Sequence, residues 1–272
     1  MIQDVTLVLS YFSYYLYPAT FKQLYTFYPK KISRLNLQKG LRILVNDKTI
    51  RTIKIDEELR YMLPRIKTAQ DYHARYYHSR NLIHTAEQYL RLLKPISWIR
   101  YLGISGSLSM LNATQASDID IFIITSVGSH WTARFIVLLY KKILCLLNPR
   151  FGYKLCFNLI FAQNGLEIAK RKQTEYVGHE MLQLYPIFNK SQTYEMFLQK
   201  NQWISHFFPN VPINSPKLNH QFILPKQSYF MKKLECLLRS IQKWWLDGKG
   251  YISQEERNQL WLIQKDYEDR LV

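Results

Sequence analysis

The sequence predicts an α+β fold with a small helical N-terminal part, a central mixed sheet flanked by helices, and a helical C-terminal region. Apolar residues recur at helical spacing in the first and last thirds of the chain, whereas the centre holds apolar runs typical of buried strands. With 272 residues, 47% of them hydrophobic, the chain is large enough to bury a sizeable core. We predict a domain over 1–64, a connecting helix over 65–95, a sheet domain over 96–190 and a helical region over 191–272.

Three short helices and a ribbon are predicted in the N-terminal domain. The first helix covers 5–12 with Asp4 as its cap, and the second covers 21–28. The third covers 33–45, and strand-like runs at 49–55 and 59–63 follow it as a two-stranded ribbon. This order is typical of a winged-helix-like domain, although a small helical cap with a hairpin fits the same pattern.

The third helix has an apolar and a basic face. Helical spacing turns Leu37, Leu41 and Leu44 inward, and it turns three basic residues outward, namely Arg34, Lys39 and Arg42. In a winged helix these three would contact nucleic-acid phosphates. Such domains also bind proteins, so DNA or RNA binding is a hypothesis.

The segment over 64–93 is predicted as one long helix, or two end to end. It carries His73, His78 and His84. Their spacing and the lack of acidic or cysteine partners on the same face favour surface or packing histidines over metal ligands.

The centre of the sequence places two carboxylates at the start of a strand. Strands are predicted over 98–104 and 119–124, and between them Gly106 and Ser107 form a turn that opens a short helix. Asp118 and Asp120 project from the same face, because alternate residues of a strand share a side. Two neighbouring carboxylates repel each other, and a divalent cation is the simplest counter-charge. Such oxygen ligands suit Mg²⁺ shared with substrate phosphates.

The glycine-serine turn suits those phosphates. Gly106 has no side-chain bulk and Ser107 brings a hydroxyl, while backbone N–H groups at the start of the short helix can bind anions. Ser117, beside the aspartates, completes the predicted nucleotide-binding set of Gly106, Ser107 and Ser117.

Gly-Ser, ten residues, and Asp-Ile-Asp before an apolar strand resemble the signature of the DNA polymerase β-like nucleotidyltransferase superfamily. The motif spans about residues 96 to 126. A looser likeness over most of the chain is to uncharacterised bacterial proteins in which a winged helix precedes a nucleotidyltransferase domain. The resemblance implies that Gly106 and Ser107 grip nucleotide phosphates and that Asp118 and Asp120 bind catalytic Mg²⁺ or Mn²⁺.

The sequence departs from this signature at the third carboxylate, which polymerising members carry on a later strand. The corresponding run over 153–161 places no acid on the matching face, and Asn158 is predicted there as the third catalytic position. An amide can ligate a metal or orient a substrate but does not accept a proton near neutral pH. His179 or Glu180, on a helix over 176–184, could act as a base instead. The reaction could also use a nucleophile that needs little help, or catalysis could be lost. Residues of these types are more often exposed polar residues of an amphipathic helix.

The remaining segments are predicted as helices. One covers 129–147, with Ser129 as cap and Pro149 as stop, and amphipathic helices cover 194–208 and 228–272. A linker is predicted over 209–216. Trp244 and Trp245 lie among lysines and could stack on bases, but tryptophans at helical spacing are more often buried in the core.

Composition bears on partners and location. A net charge of +17, from 37 Lys and Arg against 20 Asp and Glu, favours nucleic acid, nucleotide phosphates or anionic lipid. The three cysteines are far apart, which fits thiols in a reducing cytoplasm. The N-terminus lacks signal-peptide features, and the apolar run over 135–147 is too short to span a bilayer. We therefore predict a cytoplasmic protein with no membrane partner.

The sequence leaves two hypotheses for function. In the first, the protein transfers a nucleoside monophosphate from an NTP, such as ATP, to a hydroxyl acceptor, with RNA or DNA favoured by the charge. In the second, it is a catalytically silent regulator that senses nucleotide and binds nucleic acid. Asn158 favours the regulator, whereas the Asp118/Asp120 pair favours the enzyme.

Overall fold

The computed structural model describes residues 1–64, 69–212, 229–248, 254–256 and 258–262. The predicted α+β class is confirmed. The helices are α1 (Ile2–Tyr14), α2 (Phe21–Thr26), α3 (Arg34–Asn46), α4 (Ala69–Leu90), α5 (Gly106–Ser109), α6 (His130–Leu147), α7 (Pro149–Gly152), α8 (Glu175–Leu182), α9 (Thr193–Lys200), α10 (Ile204–Phe207) and α11 (Tyr229–Gly248). The strands are β1 (Ala19–Thr20), β2 (Arg51–Ile55), β3 (Glu58–Met62), β4 (Ile99–Ile104), β5 (Ile119–Thr125), β6 (Leu155–Ala162), β7 (Tyr185–Asn189), β8 (Gln254–Glu256) and β9 (Gln259–Trp261).

The described residues form two compact units. The first comprises those of Met1–Asn81, Leu111–Gln115 and Gln202–Ile213, and the second comprises those of Leu82–Met110, Ala116–Asn201 and the chain after 213. The domain boundaries at residues 64, 95 and 190 stay predictions.

The first unit contains a three-stranded antiparallel sheet in the order β1-β3-β2. The ribbon of β2 and β3 is as predicted. The additional strand β1 was missed, because two residues are too short to show alternation; Ala19 pairs with Tyr61 and Thr20 with Arg60.

Helix α3 has the predicted faces. The N–H of Asn36 donates to the Ser33 side chain at 3.1 Å, which caps the helix. The three leucines are buried and the three basic residues are exposed.

One local prediction in this unit, the cap of α1, is wrong. Met1, not Asp4, is the N-cap of α1. Asp4 lies inside the first turn, where its carboxylate accepts from Lys30 Nζ at 2.7 Å and Tyr28 Oη at 3.0 Å. The start of the predicted 209–216 linker also packs in this unit, since the buried Asn210 side chain donates to the carbonyls of Tyr28 and Lys30. Residues 213–216 lie outside the described residues.

The second unit is built on a six-stranded mixed sheet in the order β7-β4-β5-β6-β9-β8. Strand β4 is antiparallel to its neighbours β5 and β7, while β5 and β6 are parallel and joined through α6 and α7. Parallel strands need such a crossover. The apolar residues of β5 are buried, which fixes the strand in the centre of the unit.

The prediction of an entirely helical C-terminal region is wrong. After α11 the chain forms the hairpin of β8 and β9, and β9 pairs with β6, for example Ile160 with Leu260. Strand β7 was not predicted either. These strands have three to five residues. Strands this short have little periodicity of their own, and pairing with a distant strand holds them in place.

Candidate active site

The turn after β4 is tied to the start of β5. The backbone N–H of Ser105 donates to the carbonyl of Asp120 at 2.8 Å. Gly106 follows with a φ of +66°, a conformation that favours glycine. Helix α5 has only four residues, so the turn offers backbone amides rather than the field of a long helix. Ser107, in its first turn, is partly exposed.

The glycine at position 106 makes room for a carboxylate. A Cβ on Gly106 would lie 2.9 Å from Oδ2 of Asp120, a separation that is sterically unfavourable. The structure therefore places the predicted phosphate-binding turn directly against one of the two predicted metal ligands.

The two aspartates differ in exposure. Asp118, just before β5, is exposed, whereas Asp120, the second residue of the strand, is partly buried. Burial raises the pKa of Asp120 to about 6, and the negative charge of Asp118 adds to the effect. A cation bound near Asp118 and Asp120 would therefore stabilise their ionised forms.

Asn158 lies beside Asp120, as predicted. The β5/β6 pairing jumps from Asp120↔Cys156 to Phe122↔Leu159, so β6 carries one extra residue at this point. Asn158 Nδ2 donates to Asp120 Oδ1 at 3.4 Å, and Asn158 Oδ1 accepts from Cys156 Sγ at 3.1 Å. The amide nitrogen therefore donates to the aspartate, while the amide oxygen, which could ligate a metal or orient a substrate, accepts from Cys156.

Glu180 of α8 brings a further carboxylate to the turn. The backbone N–H of Gly106 donates to Glu180 Oε2 at 3.3 Å. Burial raises the pKa of Glu180 to about 7; the Gly106 hydrogen bond opposes this shift, and the charge of Asp120 adds to it. The interpretation of Glu180 as an exposed polar residue is wrong.

His179 is also withdrawn from solvent, but it differs from Glu180 in its chemistry. Burial lowers the pKa of His179 to about 3, which makes its imidazole a weak base at neutral pH. Its Nδ1 is 3.2 Å from Gln183 Nε2, on the same helix. Of the two candidate bases, Glu180 is the one that contacts the turn.

Ser117 contributes its backbone to this region. Its carbonyl accepts a hydrogen bond from Lys154 Nζ at 3.1 Å. A positive charge therefore lies next to the residue that precedes Asp118.

The available ligands decide how a metal could bind. Within the described ranges, no group of three or more His, Cys, Asp and Glu side chains is arranged to hold a metal ion. Asp118 and Asp120 would supply two carboxylates, and Mg²⁺ commonly takes one or two from protein while phosphates and water complete its shell. The donor set therefore fits a metal that arrives with a phosphate-bearing substrate. It does not fit a closed structural site.

Comparison of the sequence with models of known protein families and with curated protein sequences gave no match. In the part of the chain that the structure describes, no helix is both long enough and apolar enough to cross a membrane.

Proposed function

We propose that this protein is a metal-dependent nucleotidyltransferase that moves a nucleoside monophosphate from an NTP, such as ATP, to a hydroxyl on a nucleic acid in the cytoplasm. The observation that carries the proposal is the contact between Gly106 and Asp120. It joins a turn with no side chain at Gly106, suited to phosphates, to a carboxylate whose raised pKa no cationic side chain of the described residues offsets. Such a juxtaposition suits a substrate that brings phosphate and cation together.

The arrangement of elements supports the same class. Two strands flank the Gly-Ser turn, the aspartates open the second strand, and a parallel strand carries Asn158 beside it. This agrees with the polymerase β-like resemblance of residues 96 to 126. In the first unit, three helices followed by the β2/β3 ribbon are consistent with a winged-helix-like domain.

Each residue has a role in the proposed reaction. The Gly106 amide and the Ser107 hydroxyl would bind phosphate oxygens, and Asp118 and Asp120 would hold Mg²⁺ or Mn²⁺. The bound metal would neutralise phosphate charge and stabilise the attacking and leaving oxygens. Asn158 would orient Asp120 through its amide hydrogen bond.

Glu180 would accept the proton of the attacking hydroxyl. A general base works best when its pKa is close to the working pH, and the pKa of Glu180 is about 7. The Gly106 N–H donates to the Glu180 carboxylate in the structure. A bound nucleotide phosphate would take over this hydrogen bond and free the carboxylate to accept a proton from the acceptor hydroxyl. This would supply the carboxylate that β6 lacks.

Nucleotide incorporation tests the proposal directly. Purified protein is incubated with each α-labelled NTP, Mg²⁺ or Mn²⁺, and total RNA or DNA, and labelled polymer is measured. Asp118→Asn and Asp120→Asn should abolish labelling, whereas Glu167→Gln, an isosteric change at an exposed acid of the same unit, should retain it. Labelling that survives in both aspartate variants would exclude this site.

A silent nucleotide-sensing regulator is the second candidate, favoured by Asn158 in place of an acid. In that case nucleotide should alter the affinity for nucleic acid while no label is incorporated. Label incorporation that depends on Asp120 would exclude the regulator.

A further inference from the structure

Helix α11 is anchored to the N-terminus of α6 by a buried carboxylate. Glu235 accepts from the backbone N–H groups of Trp131 and Thr132, each at 2.8 Å, and from Thr132 Oγ1 at 2.6 Å. These donors fix α11 against α6 near residue 235.

A second contact fixes the rotation of α11 about its own axis. Gln242 Nε2 donates to the Trp131 carbonyl at 2.9 Å, and Arg134 donates to Gln242 Oε1 at 2.6 Å. The inward row of α11 consists of Glu235, Leu238, Gln242 and Leu246, all buried. Their spacing places them on one side of the helix.

Large apolar side chains occupy a different side of α11. Phe230, Leu237, Ile241 and Trp244 follow at intervals that align them in one row, and they are 71%, 57%, 52% and 78% exposed, respectively. The expectation that the tryptophans of this helix belong to the core is wrong, because Trp244 and Trp245 are both exposed. A second exposed row lies on α6, with Phe135, Leu139, Ile143 and Leu146. Exposed apolar rows of this size commonly mark an interaction surface.

The exposed charge of α11 is basic. The helix carries exposed Lys232, Lys233, Arg239 and Lys243. Of its two acidic residues, Glu235 and Asp247, the first is directed into α6. The helix therefore combines an exposed apolar row with positive charge. The whole chain is also positively charged, with a net charge of +17.

We propose that the exposed face of α11 binds the surface of a lipid bilayer that contains anionic phospholipids. Helices that lie in such an interface have Trp, Phe and Leu toward the acyl chains and Lys or Arg toward the headgroups. This inference is independent of the proposed transferase activity, and it revises the prediction of no membrane partner. A helix lying in the interface does not span the bilayer.

The same charges argue against two other occupants. A two-fold dimer through this face would bring identical lysines together, which is unfavourable. Nucleic acid would neutralise the lysines, but its phosphate surface offers nothing apolar to Leu237 and Ile241. An anionic bilayer satisfies both the aliphatic row and the charge.

Vesicle sedimentation with the full chain tests the proposal. The protein should bind vesicles of phosphatidylcholine and phosphatidylglycerol at 3:1, and bind pure phosphatidylcholine more weakly. The variant Leu237→Gln/Ile241→Gln/Trp244→Gln should lose about 100-fold or more in partitioning. Lys232→Gln/Lys233→Gln should lose roughly tenfold or more on the anionic vesicles.

A matched control removes exposed apolar residues from the first unit. The variant Leu7→Gln/Leu35→Gln/Ile43→Gln changes three side chains that are similarly exposed and should bind vesicles like the wild type. Circular dichroism and thermal melting verify that every variant is folded.

Four results would overturn the proposal. These are the absence of vesicle binding, equal loss in the control, a solution dimer that the α11 variant dissociates, and RNA binding lost with this variant while vesicle binding persists. The dimer result would assign the exposed face of α11 to a second copy of the chain, and the RNA result would assign it to nucleic acid.

Discussion

Asp4 in the first unit and Asp120 in the second are both withdrawn from solvent, yet their surroundings are opposite. Asp4 accepts from Lys30 and Tyr28 and forms an ion pair with the N-terminal ammonium at 3.2 Å. The Lys30 hydrogen bond, with further help from Tyr28 and the ammonium, keeps the pKa of Asp4 below its usual value. Asp120 has a carboxylate neighbour instead, and its pKa is raised.

The difference separates a structural acid from a candidate functional one. The Asp4 site supplies its own cation, so its ionised form stabilises the fold. Within the described residues, no cationic side chain offsets the raised pKa of Asp120, so this site gains from a bound cation. Keeping such a site costs stability, which is a common feature of functional sites.

Exchanging each aspartate for asparagine should produce opposite results and the largest effects. Asp120→Asn should reduce nucleotide transfer by on the order of 1,000-fold, because a metal ligand is lost, while the protein becomes no less stable. Asp4→Asn should retain transfer but destabilise the fold by about 1–3 kcal/mol, because Lys30 loses a charged partner. Labelled-nucleotide assays and denaturant unfolding measure the two quantities. Similar stability losses in both variants would contradict the contrast.

Gly106→Ala should weaken nucleotide binding by roughly 10- to 100-fold. The added Cβ meets Asp120 Oδ2 at 2.9 Å in a backbone with φ of +66°, and we expect the combined strain to cost about 1–3 kcal/mol. Gly128→Ala is the matched control, because Gly128 has a φ of +64° in the loop after β5. Isothermal titration with a non-hydrolysable NTP and Mg²⁺ compares the two variants. Equal weakening in both would attribute the effect to backbone strain alone.

Charge reversal on α3 should affect nucleic-acid binding and leave the Asp120 chemistry intact. Replacing Arg34, Lys39 and Arg42 by Glu should lower affinity by about tenfold or more and reduce the slope of log K against log[salt] by up to about 3. Asp120→Asn should leave that slope unchanged. Fluorescence anisotropy over a salt series provides the measurement. An unchanged slope in the α3 variant would remove α3 from the nucleic-acid interface.

The stability of the fold should depend on pH with opposite sign for the two acids. The stabilising contribution of protonated Asp120 is complete below pH 3.8 and is lost as the pH rises through about 6. That of Asp4 is present above pH 3.8 and is lost as the pH falls through its lowered pKa.

The free energies of unfolding of the wild type and Asp120→Asn should therefore be similar near pH 4. At pH 7 that of the variant should be higher by about 2 kcal/mol. Added Mg²⁺ should reduce this difference in stability, because it would bind the ionised Asp120 of the wild type. A thermal melting series from pH 4 to pH 8, with and without Mg²⁺, checks both statements. A gap that is constant with pH would exclude titration of Asp120 as its cause.

The parts predicted correctly depend on local patterns. The faces of α3 follow from leucines at helical spacing, and the strand that holds Asp120 follows from the apolar run over 121–124. Asn158 was placed beside the aspartates because its strand was recognised, and the structure agrees. The direction of its amide could not be predicted, since it depends on the bulge in β6 and on Cys156.

Errors arose where distant contacts decide the outcome. Strand β9 exists because it pairs with β6, 98 to 102 residues earlier in the chain. Asp4 has the residue type and position of a helix cap, but Lys30 and Tyr28 bind its carboxylate inside the first turn. Trp244 has helical spacing, yet Glu235 and Gln242 fix α11 so that this tryptophan is exposed.

The sequence by itself determined the α+β class, the leucine face of α3, and the Gly-Ser turn ahead of two aspartates at the start of a strand. Each of these features depends on spacings of a few residues, over which backbone geometry alone decides which side chains share a face. Only the tertiary structure brought Glu180 to the Gly106 amide and set the raised pKa values of Glu180 and Asp120. Burial and charge at a site depend on which distant segments surround it, and periodicity carries no information about those partners.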